Sequence, residues 1–155
     1  MSLLGRYMSE RDLRLIKSIN IEMLNDVIQT EVKIYKMSAE RTKTNIYGEA
    51  DQVTGKVFFP GIEIVSMIER ADITTEQNDF GPNRKQDVVF KFMEDMLRIV
   101  NFFPEVGDII EFNARYHEID NVVQEQFLGG IPEKSFSIIT NTHYSRLSKL
   151  NIVTR

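Results

Sequence analysis

Between Leu13 and Ile28 the apolar residues fall at steps of three and four, at Leu13, Ile16, Ile19, Met23, Leu24, Val27 and Ile28, the spacing that lines one face of a helix. Ser9, with Asp12 three places later, supplies a start signal. The pattern therefore predicts a helix over 10–28, preceded by a short arm at 1–9. It is either one piece or two short ones parted near Ser18 to Asn20, with Asn20 and Asn25-Asp26 as weak helix formers. From Gln29 the period changes to two: Thr30, Val32, Ile34 and Lys36 alternate with Glu31, Lys33, Tyr35 and Met37, which predicts a half-solvated strand ending near Ser38.

Residues 39–55 are polar, lack periodicity and contain Gly48 and Gly55, so they read as a long loop. Val57-Phe58-Phe59 and Ile62 to Ile68, parted by the Pro60-Gly61 turn, supply the next strand or strand pair. A second polar loop spans 71–85, with Gly81-Pro82-Asn83 as its breaker, before a strong strand from Asp87 to Met93. Met96, Leu97 and Val100 predict a helix of about two turns that stops ahead of Phe102-Phe103-Pro104. Gly107-Asp108 then opens Ile109 to Phe112, Asn113-Ala114 makes a tight turn, and Tyr116 to Val123 returns as the hairpin partner. Ser135 to His143 is a last strand, and 144–155 reads as a basic C-terminal tail. No internal repeat is visible. The expected fold is mainly β: a small SH3-like β-barrel over 29–143, with an N-terminal helix, long extended loops and the tail, all in a single domain.

Composition changes this picture little. The chain has 155 residues, 42% of them hydrophobic, enough to bury a core. Its net charge of −4 speaks against a surface that clings throughout to nucleic acid or anionic membrane. With no cysteine, packing alone must hold the fold. No apolar run reaches membrane-spanning length and no signal peptide is visible, so the expected product is soluble and unexported.

Candidate chemistry is sparse. His117 and His143 have no second ligand at metal spacing and read as structural or surface residues. Asp72, Glu76 and Asp79 share a loop without the dense ligand series of a calcium site. Glu118 and Asp120 alternate onto one strand face, as a polar outer face also predicts. No phosphate-cradling glycine motif occurs. The expectation is therefore no enzyme, no cofactor and no metal. Long loops and tails point instead to contacts between subunits, with Tyr47, Phe80 and Phe127 as aromatic anchors and Arg146, Lys149 and Arg155 as basic tail contacts.

The run Pro104-Glu105-Val106-Gly107-Asp108-Ile109-Ile110-Glu111-Phe112, followed by Tyr116 to Val123 and Gln126-Phe127-Leu128-Gly129, resembles a segment of the neck proteins of T-even-type tailed bacteriophages. Phe80-Gly81 ahead of the Val88 to Met93 strand is similar to an aromatic-Gly pair in such virion proteins. The resemblance spans about the second half of the chain. It implies head closure: a homo-oligomeric ring, expected to be a hexamer, assembled in the bacterial host cytoplasm and located in the virion neck. Its implied partners are the portal or adaptor protein on the head side and the tail terminator or tail tube on the other. Phage DNA would pass through the lumen without sequence-specific binding, and no membrane is involved. An adaptor or tail-terminator ring protein is the alternative within that class. A small SH3-like nucleic-acid binder using the basic tail is the alternative outside it, although Lys56, Arg70, Arg98 and Arg115 are scattered along the chain rather than gathered.

Overall fold

Ser9 begins the first helix with a capping box. Its hydroxyl accepts from the Asp12 N–H at 3.2 Å, and its own N–H donates to the Asp12 carboxylate at 3.3 Å. The computed structural model describes residues 9–42, 55–70, 74–78, 81–85, 87–126, 135–145 and 150–152. Helix α1 (Glu10–Glu22) runs through Ser18 to Asn20 without a break and continues as a π-helical segment, Met23–Ile28. The weak helix formers Asn25 and Asp26 fall in that wider turn. Gln29 ends it in the left-handed region, its N–H donating to the Leu24 carbonyl at 2.8 Å.

The strands are β1 (Glu31–Tyr35), β2 (Val57–Phe58), β3 (Ile62–Val65), β4 (Met67–Arg70), β5 (Thr74–Asn78), β6 (Gly81–Lys85), β7 (Asp87–Met93), β8 (Ile109–Phe112), β9 (Arg115–Gln126), β10 (Ser135–Ser145) and β11 (Asn151–Ile152), with helix α2 (Glu94–Val100) between β7 and β8. Seven of them form one antiparallel sheet in the order β3-β1-β8-β9-β10-β7-β4. The expected hairpin is its centre, with Ile109 opposite Glu118 and Phe112 opposite Arg115. Asn113 and Ala114 both have positive φ (50° and 57°), as a two-residue hairpin turn of the right twist requires.

No ladder joins β3 to β4 among the described residues, so the hydrogen bonds leave the sheet open where a closed barrel was expected. These two edge strands are nonetheless consecutive in sequence, with Ser66 alone between them. Period two runs straight through: Ile62, Ile64, Ser66 and Ile68 turn inward while Glu63, Met67 and Glu69 face out. The sheet therefore curls until its two edges meet at Ser66, whose N–H donates to the Thr30 carbonyl at 2.9 Å.

Inside the curl lie Val32, Ile34, Ile64, Val88, Phe90, Phe92, Ile110, Ile119 and Ile138, with Leu97 of α2 and Phe102 packed among them. Two buried threonines share this interior because each hydroxyl finds a backbone acceptor across the ladder. Thr140 donates to the Phe90 carbonyl at 3.2 Å and Thr142 to that of Val88 at 2.8 Å. Alternation places Tyr35 and Ile109 on the opposite face, where Phe58 of β2 and Leu150 cover them.

Two expected irregular segments turn out differently. Within the loop assigned to 71–85, β5 and β6 pair as an antiparallel ribbon, Thr74 opposite Lys85 and Asn78 opposite Gly81. Pro82 is tolerated there because each strand of a two-stranded ribbon is an edge. The tail assigned to 144–155 is partly built in: β10 extends to Ser145, Leu150 is buried, and β11 pairs in parallel with β2. Tyr144 to Ser145 continue the ladder with β9, so the strand stops later than its apolar pattern does.

Candidate interaction surfaces

The interface residues expected from sequence, Tyr47, Phe80, Phe127, Arg146, Lys149 and Arg155, lie outside the described residues, as do Asp72 and Asp79 and the side chains of Glu76 and Arg70. The polar groups that are described form clusters with few free functional atoms. His117 is buried, its ring edge-on to Phe90 (5.8 Å between centroids) and to Tyr144 (6.1 Å). His143 lies on the outer face, where a bulge shapes its surroundings. Asn141 faces Asn121 and Thr142 faces Ile119, so Asp120 is the extra residue and swings to 2.7 Å from His143 Nδ1. Sequence alternation put Glu118 and Asp120 on one face, and the bulge gives them separate partners: Asp120 takes His143 and Glu118 takes Lys56. No group of three carboxylate or imidazole side chains is placed to hold a metal ion among the described residues.

Two carboxylates are buried, and each is tied to the frame. Asp108 follows Gly107, whose φ of +93° favours glycine, and its two oxygens accept from the Met37 and Glu105 N–H groups, each at 2.9 Å. Burial pushes its carboxyl above the ordinary value of 3.8, outweighing those two bonds. Glu94 opens α2 and ion-pairs with Arg98 while accepting from Gln124 at 3.2 Å. Burial alone would raise it, yet hydrogen bonds from Ser135, Arg98 and Gln124 together hold it below 4.5. Tyr35, buried and bonded to the Glu111 carboxylate at 2.6 Å, holds its proton well above the usual phenol range. These groups tie neighbouring elements together.

The surface carries more information than the polar clusters. Leu15, Ile19, Met23 and Val27 are 58%, 54%, 40% and 76% exposed, a continuous apolar row along α1 and its π-helical extension. Sequence periodicity placed Leu13, Ile16, Ile19, Met23, Leu24, Val27 and Ile28 on one helix face, whereas the structure divides them: Leu13 and Leu24 are buried, Ile19, Met23 and Val27 are exposed, and Lys17 reaches Asp95 at 3.0 Å. Beside the row, Met23, Leu24, Met67, Phe92 and Phe136 line a largely apolar cleft of about 200 Å³. A second set of exposed apolar residues runs from the end of α2 into the segment after it: Ile99, Val100, Phe103 and Val106. Neither patch was legible as surface from composition, although the row at steps of four was present in the sequence. No protein-family model matches the chain, and no curated protein matches it.

Proposed function

We propose that this chain is a virion structural protein of a tailed bacteriophage, forming a neck ring that closes the filled head and joins the portal or adaptor to the tail. The observation that carries the reading is the patch at Ile99, Val100, Phe103 and Val106, which abuts and enters the Pro104 to Phe112 run that resembles T-even-type neck proteins. Apolar side chains gathered on the surface mark contact sites. A contact between unlike surfaces of neighbouring copies repeats around an axis and closes a ring, expected here to be a hexamer. The net charge of −4 suits a lumen through which DNA slides, since each neutralised phosphate would release counterions and hold the genome back.

The curled sheet supports an SH3-like barrel as the finer description, with the β3–β4 strand shared between its two sides. In this reading Tyr47, Phe80, Phe127, Arg146, Lys149 and Arg155 contact neighbouring copies or the adjoining rings. Localisation in the virion neck and assembly in the host cytoplasm follow from the same proposal.

Negative-stain microscopy and native mass spectrometry of the purified chain, alone and with its portal-side ring, test it. Rings are expected for the wild type, and Val106→Asp, an exposed position whose change leaves the core intact, is expected to abolish them without lowering the melting temperature. A monomer that ignores the portal-side ring and binds duplex DNA tightly at physiological salt would favour the nucleic-acid reading instead.

A further inference from the structure

The apolar row on α1 has a second property that the patch after α2 lacks. Charged side chains flank it at both ends: exposed Arg11 stands one turn ahead of Leu15, and exposed Glu22 and Asp26 stand beside its far end, while Glu10 and Arg14 lie farther round the helix. Arg11 and Glu22 stand three turns apart on the same side of the row, and Asp26 follows at the next turn. Arg11, Glu22 and Asp26 make no ion pair among the described residues. Asp12 is turned back onto the Ser9 hydroxyl at 2.8 Å.

We infer that the row is a docking surface for α1 of a second copy, lying antiparallel across a two-fold axis at Ile19. Residues spaced by four form one of the ridges through which helices interlock. The π-helical segment keeps Val27 on this ridge: a hydrogen bond from Gln29 to Leu24, five residues back, widens the turn, whereas a regular α-helix would carry position 27 round towards the protein. With Ile19 opposite Ile19 of the other copy, Leu15 meets Met23 and Arg11 comes alongside Asp26, twice over by symmetry. An antiparallel two-fold pair sets like flanks face to face, so Arg11 of each helix meets the Glu22 and Asp26 flank of the other. A parallel arrangement would set Arg11 against Arg11 and Asp26 against Asp26. Leu15, Ile19 and Met23 of each copy meet one another while Val27 falls opposite Arg11, which is short of the roughly 800 Å² per partner of a standard interface, so the pairing is weak for isolated chains. It gains from avidity wherever many copies are already held together.

This contact is isologous, and is therefore distinct from any contact that closes a ring. It does not rest on the neck reading: Val106→Asp, which tests that reading, leaves the α1 row untouched.

The chain has no cysteine, so one placed in the row reports on the pairing alone. With oxidised glutathione at high protein concentration, Ile19→Cys is expected to cross-link into a covalent dimer, because the axis brings the two thiols together. Val27→Cys, whose two copies lie at opposite ends of the pair, is expected to stay uncross-linked. Cross-linking at both positions alike, or at neither, overturns the two-fold pairing. In sedimentation equilibrium, Arg11→Glu and Asp26→Arg should each weaken self-association by about threefold to tenfold, and the doubly substituted chain should regain it. A double variant no better than either single one overturns the charge-matched register. Portal-side ring that shields the Ile19→Cys thiol from maleimide, at a concentration where the chain alone is unpaired, would assign the row to that partner and overturn the second copy as its occupant.

Discussion

Asp108 is the sharpest point at which to perturb the frame, because one buried carboxylate holds three chain segments together. Its oxygens accept the N–H groups of Met37, just past β1, and of Glu105, in the approach to β8, while its own carbonyl accepts the Ile119 N–H at 2.9 Å. Asp108→Asn keeps the shape but turns an NH₂ group towards one of those two N–H donors. One hydrogen bond is lost and a donor is left unpaired, which costs about 1–3 kcal/mol; Asp108→Ala strands both donors and costs roughly twice that. The pH dependence has a definite sign. Because burial holds the carboxyl above 3.8, the folded chain keeps a proton there that the unfolded chain has already released. Asp108 therefore contributes a stability that falls as pH rises from 3.8 through the raised value. Urea unfolding of the wild type and Asp108→Asn, in steps from about pH 4 to about pH 7, isolates this contribution, since all other titrating groups are common to both chains. The stability difference in favour of the wild type is expected to shrink as pH rises. A difference that stays level or grows with pH would refute the claim that burial outweighs the two N–H bonds.

The same frame yields three further expectations. Ile119 is 1% exposed at the centre of the core, so Ile119→Asp buries an unpaired carboxylate at a cost of several kcal/mol, comparable with the whole stability of a small domain. It should be insoluble or unfolded by circular dichroism, whereas Ile119→Val should lose only about 0.5–1.5 kcal/mol. Ala114 holds a φ of 57° in an exposed turn, so Ala114→Gly should raise stability by about 1 kcal/mol in urea unfolding. The Ser66 hydroxyl is fully buried with no hydrogen-bond partner, so Ser66→Ala should raise the melting midpoint by an amount worth about 1–2 kcal/mol, and a drop would mean that the hydroxyl is satisfied.

Local patterns in the sequence carried the regular parts of the fold, since the forces that set them act within a few residues. The Ser9-Asp12 capping box, the Asn113-Ala114 turn and the alternation in β1, β7 and β9 all depend on neighbours close in the chain. What escaped depends on pairing. The β5–β6 ribbon has no apolar face, so Thr74 to Lys85 offered no period-two signal, only polar residues with a proline among them. Leu150 stands among Leu147, Ile152 and Val153 without a regular helix or strand period, and its burial against Tyr35, Phe58 and Ile109 accompanies the pairing of β2 with β11 across the chain. Asp120 is aimed at His143 by a bulge, and one extra residue in a twelve-residue strand leaves no mark in the alternation around it.

The α1 surface shows the same division most directly, because the helix carries two apolar rows and its periodicity cannot rank them. One row runs through Leu13, Ile16 and Leu24, the other through Leu15, Ile19, Met23 and Val27. The second is as apolar as the first, and in isolation a helix would bury either. The first row is the one that faces the protein: Leu13 and Leu24 are buried, and on the same side Lys17 reaches Asp95 at the start of α2, 78 residues away in sequence. An ion pair this exposed contributes about 1 kcal/mol at most, less than the burial of either leucine, so the leucines supply most of the energy that holds this face inward. Four large side chains then remain in water along the length of the helix. Such exposure is a standing cost to a lone chain, which is why this row, and not the core, carries the proposed pairing with a second copy.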